Sequence, residues 1–220
     1  MTEPVATVPL ALYDFLPVLL AGVGSFALAG YVRRSVPSLH PAASTGAALV
    51  LVGGLAKATW KLVLAAGWGD WQVLETGLFV LLCPGFVLLA WCLLAALGRR
   101  LPVVLPALVV AAAEAGALAA QSTGPLLAVT VLAATTTGVL GVLAARRAGD
   151  TPAALLFCAQ LVLAFALVPL AAPPHTVGKQ WLEEVLNTFG QGAFALAAVR
   201  LSRPASTSRR TDLVLTGSTA

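Results

Sequence analysis

Charge is what this sequence lacks most. Only 10% of its 220 residues are Asp, Glu, Lys or Arg, against about 25% in soluble domains, and 59% are hydrophobic. Mean hydropathy is +0.94. A water-soluble chain of this length could not cover its surface with so few charges. A very apolar soluble bundle is excluded by segment length. Soluble helices average about 11–12 residues, whereas the apolar runs here approach about 20, the length that crosses hydrocarbon.

Other absences narrow the chemistry. There are two histidines, His40 and His175, both in loops and on opposite sides, which excludes a haem pair or a histidine-rich metal site. Of the three cysteines, Cys83 and Cys92 share one span and Cys158 lies in another, so no disulfide framework is indicated. No Gly-rich phosphate loop, GxSxG elbow or DxxxD pair occurs. No cofactor and no metal are implied. The N-terminus has no basic n-region and runs straight into a full span, so no cleaved signal peptide is expected. The formal net charge is +4, but Lys and Arg fall between apolar runs or in the tail, and no nucleic-acid partner is implied. Usage heavy in Ala, Leu, Val and Gly, with Arg over Lys, points to a GC-rich bacterium and hence to its inner membrane.

What is present is an all-α polytopic membrane pattern. Seven apolar stretches cover about 9–31, 43–66, 73–97, 101–121, 125–146, 152–172 and 178–201, each near the roughly 20 residues a span requires. Each must be a helix, because inside lipid the backbone has to satisfy its own hydrogen bonds. Residues 1–202 thus form one transmembrane domain, and 203–220, rich in Ser, Thr and Arg, reads as a disordered cytoplasmic tail. Arg33/Arg34, Arg99/Arg100, Arg146/Arg147 and the set Arg200, Arg203, Arg209 and Arg210 all fall on one side. By the positive-inside rule that side is cytoplasmic, giving N-out/C-in.

A repeat underlies the spans. AALVLVGGLAKATWKLVLAAG from Ala47 aligns without gaps with AALLFCAQLVLAFALVPLAAP from Ala153. The next spans open on Trp71 and Trp181, followed by Leu74-Glu75-Thr76 and Leu186-Asn187-Thr188. The preceding spans end in Arg33-Arg34 and Arg146-Arg147. Spans 1–3 therefore repeat as 5–7 in parallel, joined by span 4. This 3+1+3 architecture resembles the broad heptahelical group that includes sugar-efflux transporters of the SWEET type and microbial rhodopsins. No Pro-Gln pair of the SWEET kind is present, and Lys179, at the outer lip of the last span, is too shallow for a retinal Schiff base. No family is assigned.

Ionisable groups inside a span are costly and usually face the bundle interior or water. Here they gather in the outer half. Lys57 and Lys61 share one face of span 2, and Glu114 lies in the all-small stretch AAAEAGALAA of span 4. Gln180, Glu184, Asn187 and Gln191 form a continuous stripe on span 7, and Gln160 lies near mid-depth of span 6. Lys57, Glu114, Glu184, Asn187, Gln191 and Gln160 are the candidates for binding a substrate or ion. Asp14, Lys61, Glu75, Glu183, Trp60 and Trp181 are secondary, because interfacial charges snorkel into headgroups and interfacial aromatics form a belt. Glu114 is the sharpest single residue. Lys57 is its expected counter-charge, and span 4 is expected to pack tightly through its small residues.

Three functions fit these features. The first is a small-solute transporter, proton- or ion-coupled, using buried carboxylates at mid-depth. The second is an intramembrane enzyme acting on a lipid or isoprenoid, with Glu114 or Glu184 as general acid and Trp60 and Trp181 as an aromatic wall. Small heptahelical terpene cyclases and ether-lipid hydrolases share this size, but no motif of either is present. The third is a sensor or accessory subunit whose basic tail meets a partner or anionic lipid. The lipid bilayer is the one partner implied throughout.

Overall fold

A computed structural model describes residues 7–99, 101–170 and 176–203. Arg100, the Pro173-Pro174 and His175 stretch, Arg209, Arg210 and the tail from 204 onward lie outside the described residues. Seven helices account for nearly all of the rest, and no strand occurs among the described residues. They are α1 (Val8–Ser35), α2 (His40–Ala65), α3 (Gln72–Ala96), α4 (Val104–Ala120), α5 (Gly124–Arg147), α6 (Thr151–Leu170) and α7 (Val177–Ser202).

Five of these, α1, α2, α3, α5 and α6, are long and apolar enough to cross a membrane. Their outward faces are apolar too: Leu132, Val162 and Val168 are each about two-thirds exposed, the arrangement of a protein solvated by lipid rather than water. The chain is thus a membrane-embedded helical protein. Two helices differ from the other five. α4 has 17 residues and is short. α7 has 26, but its polar stripe lowers its apolar content below theirs.

Local sequence explains where helices begin, break and stop. Pro9, Pro41 and Pro125 occupy first turns, where a missing N–H costs nothing. Pro17 removes the donor that the Tyr13 carbonyl would otherwise receive, and α1 is interrupted by a turn at Asp14, between Val8–Tyr13 and Phe15–Ser35. Gly98 (φ 84°) and Gly149 (φ 71°) adopt left-handed backbone just after α3 and α5. There Arg99 N–H reaches Leu94 O and Asp150 N–H reaches Ala145 O, both at 2.9 Å, closing each helix end.

Six helices close into a ring, each packing on the next in the order α1, α2, α3, α5, α6, α7 and back to α1. α4 lies outside it, against α3 and α5. Two glycines set the α2–α3 spacing. A Cβ on Gly46 would stand 2.8 Å from Gly85 O, and one on Gly85 would stand 3.0 Å from Gly46 O, so the backbones approach as only glycine allows.

The main core fills the end of the ring that carries the C-termini of α1, α3, α5 and α7. Leu28, Val32, Leu93, Phe157 and Ala197 are fully buried there, with Phe157 edge-on to Phe194 at 6.1 Å. Arginines fasten the same end. Arg34 Nη2 donates to Leu201 O (2.7 Å), Arg147 Nη1 donates to Leu97 O (2.7 Å), and Arg200 pairs with Asp150 (3.2 Å). Each satisfies a carbonyl or carboxylate at a helix terminus.

The small-residue stretch of α4 does not pack tightly inside the bundle. Only Pro106 and Ala113 of that helix are buried. The ring closes through direct contact of α3 with α5, which leaves α4 at the periphery, one face on Cys83, Val87, Leu126 and Ala133.

Candidate functional site

Opposite the arginines, the ring is not filled. A cavity of about 260 Å³ lies among α1, α2, α3 and α7. Its polar lining consists of Asp14 from α1, Lys57 and Lys61 from α2, and Glu184, Asn187 and Gln191 from α7. Leu78, Leu82 and Phe86 of α3 supply an apolar wall.

Helix geometry brings these groups together. Counting about 1.5 Å per residue from the helix ends, Lys61 lies roughly 6 Å, Asp14 roughly 9 Å and Glu184 roughly 10 Å below that end of the bundle. Lys61 Nζ sits 2.9 Å from Asp14 Oδ2 and 2.9 Å from Glu184 Oε1, one ammonium held by two carboxylates from different helices. Asp14 and Glu184 are buried, at 7% and 9% exposure. Three helices are thus tied by a single charge cluster at the upper rim of the cavity. Lys57 and Asn187 lie deeper, roughly 12 and 15 Å down, and Gln191 roughly 21 Å by the same rise.

Two groups in the cavity have unused valence. Lys57 makes no ion pair or hydrogen bond among the described residues, although Lys61, Asp14 and Glu184 all act on it electrostatically. Glu184 Oε2 is buried and has no hydrogen-bond partner among the described residues, since Lys61 takes only Oε1. Polar groups left unpaired in a low dielectric cost free energy, and buried sites normally satisfy them. The cavity thus holds, among the described residues, one lysine without an ion pair and one buried carboxylate oxygen without a hydrogen-bond partner.

The remaining candidates lie elsewhere. Lys57 is not the counter-charge of Glu114. That residue is half-buried on the peripheral α4, near Cys83, and the α3 helix separates it from the cavity. Gln160 borders a second cavity of about 150 Å³ between α5 and α6, its Oε1 buried without a partner among the described residues. Glu75 is exposed at the start of α3, and Glu183 is half-buried beside the stripe. Trp60 Nε1 donates to Asp70 Oδ1 (2.8 Å), and Trp181 packs at 5.6 Å on Tyr13, so neither tryptophan walls the main cavity. Asp14 and Lys61 do not snorkel as isolated interfacial charges, because each has an opposite charge at the same depth inside the ring. Matching depths along antiparallel helices is the signal that identifies this trio from sequence.

Outside the spans, one group titrates in a readable way. The Asp150 carboxylate accepts the Ala153 N–H at the first turn of α6 (3.0 Å) and pairs with Arg200, which together hold it below the usual carboxylate range.

No protein-family model, curated protein or solved structure matches this chain. The functional reading therefore rests on the cavity itself.

Proposed function

We propose that this protein is a transporter of a small polar solute, with its binding site in the cavity between α1, α2, α3 and α7. The observation that carries this reading is the convergence of Asp14, Lys57, Lys61, Glu184, Asn187 and Gln191 on one space, with one lysine and one carboxylate oxygen among them lacking a partner among the described residues. Such groups inside a bundle of apolar helices mark solute and ion pathways. The lipid-enzyme reading is weaker. Trp60 and Trp181 do not wall the cavity, and one oxygen of Glu184 is taken by Lys61.

In this reading residues 1–202 are one domain of seven spans, α4 and α7 included, with 203–220 as a cytoplasmic tail. The topology is N-out/C-in across a bacterial inner membrane, and the cavity opens to the outer face. The arginine-bearing ends of α1, α3, α5 and α7 support that orientation. The 3+1+3 repeat is supported by the packing order. Exchanging α1, α2 and α3 for α5, α6 and α7 carries every neighbour pair of the ring onto another neighbour pair. It also carries the Arg34 contact with Leu201 onto the Arg147 contact with Leu97. Two parallel three-helix units around one site suit alternating access.

The test is flux. Proteoliposomes holding the full chain are given labelled mixtures of amino acids, monocarboxylates and sugars. Uptake of one class should occur and be lost in Lys57→Met and Glu184→Gln, while Glu114→Gln, outside the cavity, retains it. Equal uptake by the unaltered chain and both cavity variants would refute the assignment.

A further inference from the structure

We propose that the solute is a small zwitterion, its anionic group held by Lys57 and its ammonium group by Glu184 Oε2. This rests on the solute-site reading above and names the class of solute.

The argument is electrostatic. Asp14, Lys61 and Glu184 form a cluster with one net negative charge when all three are ionised. Lys57, one helical turn deeper on α2 than Lys61, adds a positive charge when protonated and has no ion pair among the described residues. The cavity thus presents two carboxylates at its rim and, roughly 2–3 Å deeper by the helical rise, a cation on the neighbouring α2. A zwitterion has the opposite polarity, and its total charge is zero. It can satisfy both ends while adding no net charge to a region where unpaired charge is expensive.

Other solutes fit worse. A monoanion would pair with Lys57 and lie beneath the negative cluster. A monocation would pair with Glu184 and meet Lys57. A sugar would leave both charged groups with only neutral partners, and charge-assisted hydrogen bonds are roughly twice as strong as neutral ones. Asn187 and Gln191 supply amide donors and acceptors at the floor, and Leu78, Leu82 and Phe86 offer a face for a short aliphatic group. A volume of about 260 Å³ falls below the roughly 300–1,000 Å³ of sites for drug-sized ligands, which favours a compact solute.

The experiment is calorimetric titration of the full chain in lipid nanodiscs. The zwitterions are glycine, L-alanine and L-leucine. Propionate and ethylammonium each keep one charge of alanine, and glucose keeps neither. At least one zwitterion should bind about tenfold or more tightly than propionate, ethylammonium and glucose, the scale expected when a hydrogen bond to a charged group is lost. Glu184→Gln should erase the preference for alanine over propionate, and Lys57→Met the preference for alanine over ethylammonium. Should Lys57→Met fail to fold, the comparison of probes on the unaltered chain decides alone. Propionate, ethylammonium or glucose binding as tightly as the best zwitterion overturns the proposal, as does binding by none of the three zwitterions. Flux then separates the two failures: uptake of a monocarboxylate or sugar leaves the transport reading standing without the zwitterion, and no uptake removes both.

Discussion

The two ends of the helical ring solve the same problem in opposite ways. At the arginine end the space between helices is filled: Leu28, Val32, Leu93 and Phe157 are fully buried, and charges sit at the helix termini, pairing with carbonyls or with Asp150 near the surface. At the other end the space is left open, and the charges lie inside it as Lys61 bridging Asp14 and Glu184. Packing gives stability at the first end, where ions contribute little because water screens them. At the second, ions tie α1, α2 and α7 together over a cavity, and the two largely buried carboxylates depend on the one lysine between them. The two ends are therefore distinguishable by what fills the bundle.

The sharpest way to break that contrast is to cut each end once. Lys61→Met strands two buried carboxylates and should cost about 3–5 kcal/mol, the range for one partner removed from a buried pair. Phe157→Ala at the packed end should cost a similar amount, about 3–5 kcal/mol, through a cavity. The two losses differ in rescue. Adding Asp14→Asn and Glu184→Gln to Lys61→Met should restore most of the stability, because neutralising a whole buried cluster is often nearly neutral. No charge change should rescue Phe157→Ala. Thermal unfolding in detergent reads all of these, and failure of the triple variant to recover would show that the cluster is not the source of the loss.

A smaller effect belongs to Asp150. Its replacement by Ala removes a helix cap and should cost about 1 kcal/mol. Because the carboxylate is held below its usual range in the folded state, its contribution is present above the unfolded pKa of about 3.9 and is lost as pH falls through the lower folded value. The stability difference between the unaltered chain and Asp150→Ala should shrink on acidification. The smallest effect is that of salt: raising ionic strength should weaken the exposed Arg200–Asp150 pair by less than about 1 kcal/mol and leave the buried trio unchanged. A salt response of Lys61→Met equal to that of Asp150→Ala would blur the distinction between the ends.

The helical, membrane-embedded character was legible in the sequence because length and apolar content decide it without reference to neighbours. Candidate polar residues were legible for the same reason, since a charge in an apolar run is conspicuous wherever it points. Their partners were not. Periodicity assigns a residue to a face and a depth, but which helix that face meets depends on the ring order. Glu114 illustrates the gap: its small-residue surroundings pointed to a tightly packed helix, yet direct α3–α5 contact leaves α4 outside. Asp14 and Lys61 show the converse. Each alone looks like an interfacial charge, and only the antiparallel pairing of α1 with α2 puts them at one level.

The central claim, a polar cavity entered from the end opposite the arginines, is tested most directly by cysteine labelling in intact cells. The background carries Ala at Cys83, Cys92 and Cys158 and a single Asn187→Cys, with Ser202→Cys at the arginine end as the control. A membrane-impermeant maleimide added outside should label Asn187→Cys and spare Ser202→Cys until the cells are permeabilised. Labelling of Asn187→Cys only after permeabilisation, or not at all, would contradict the account.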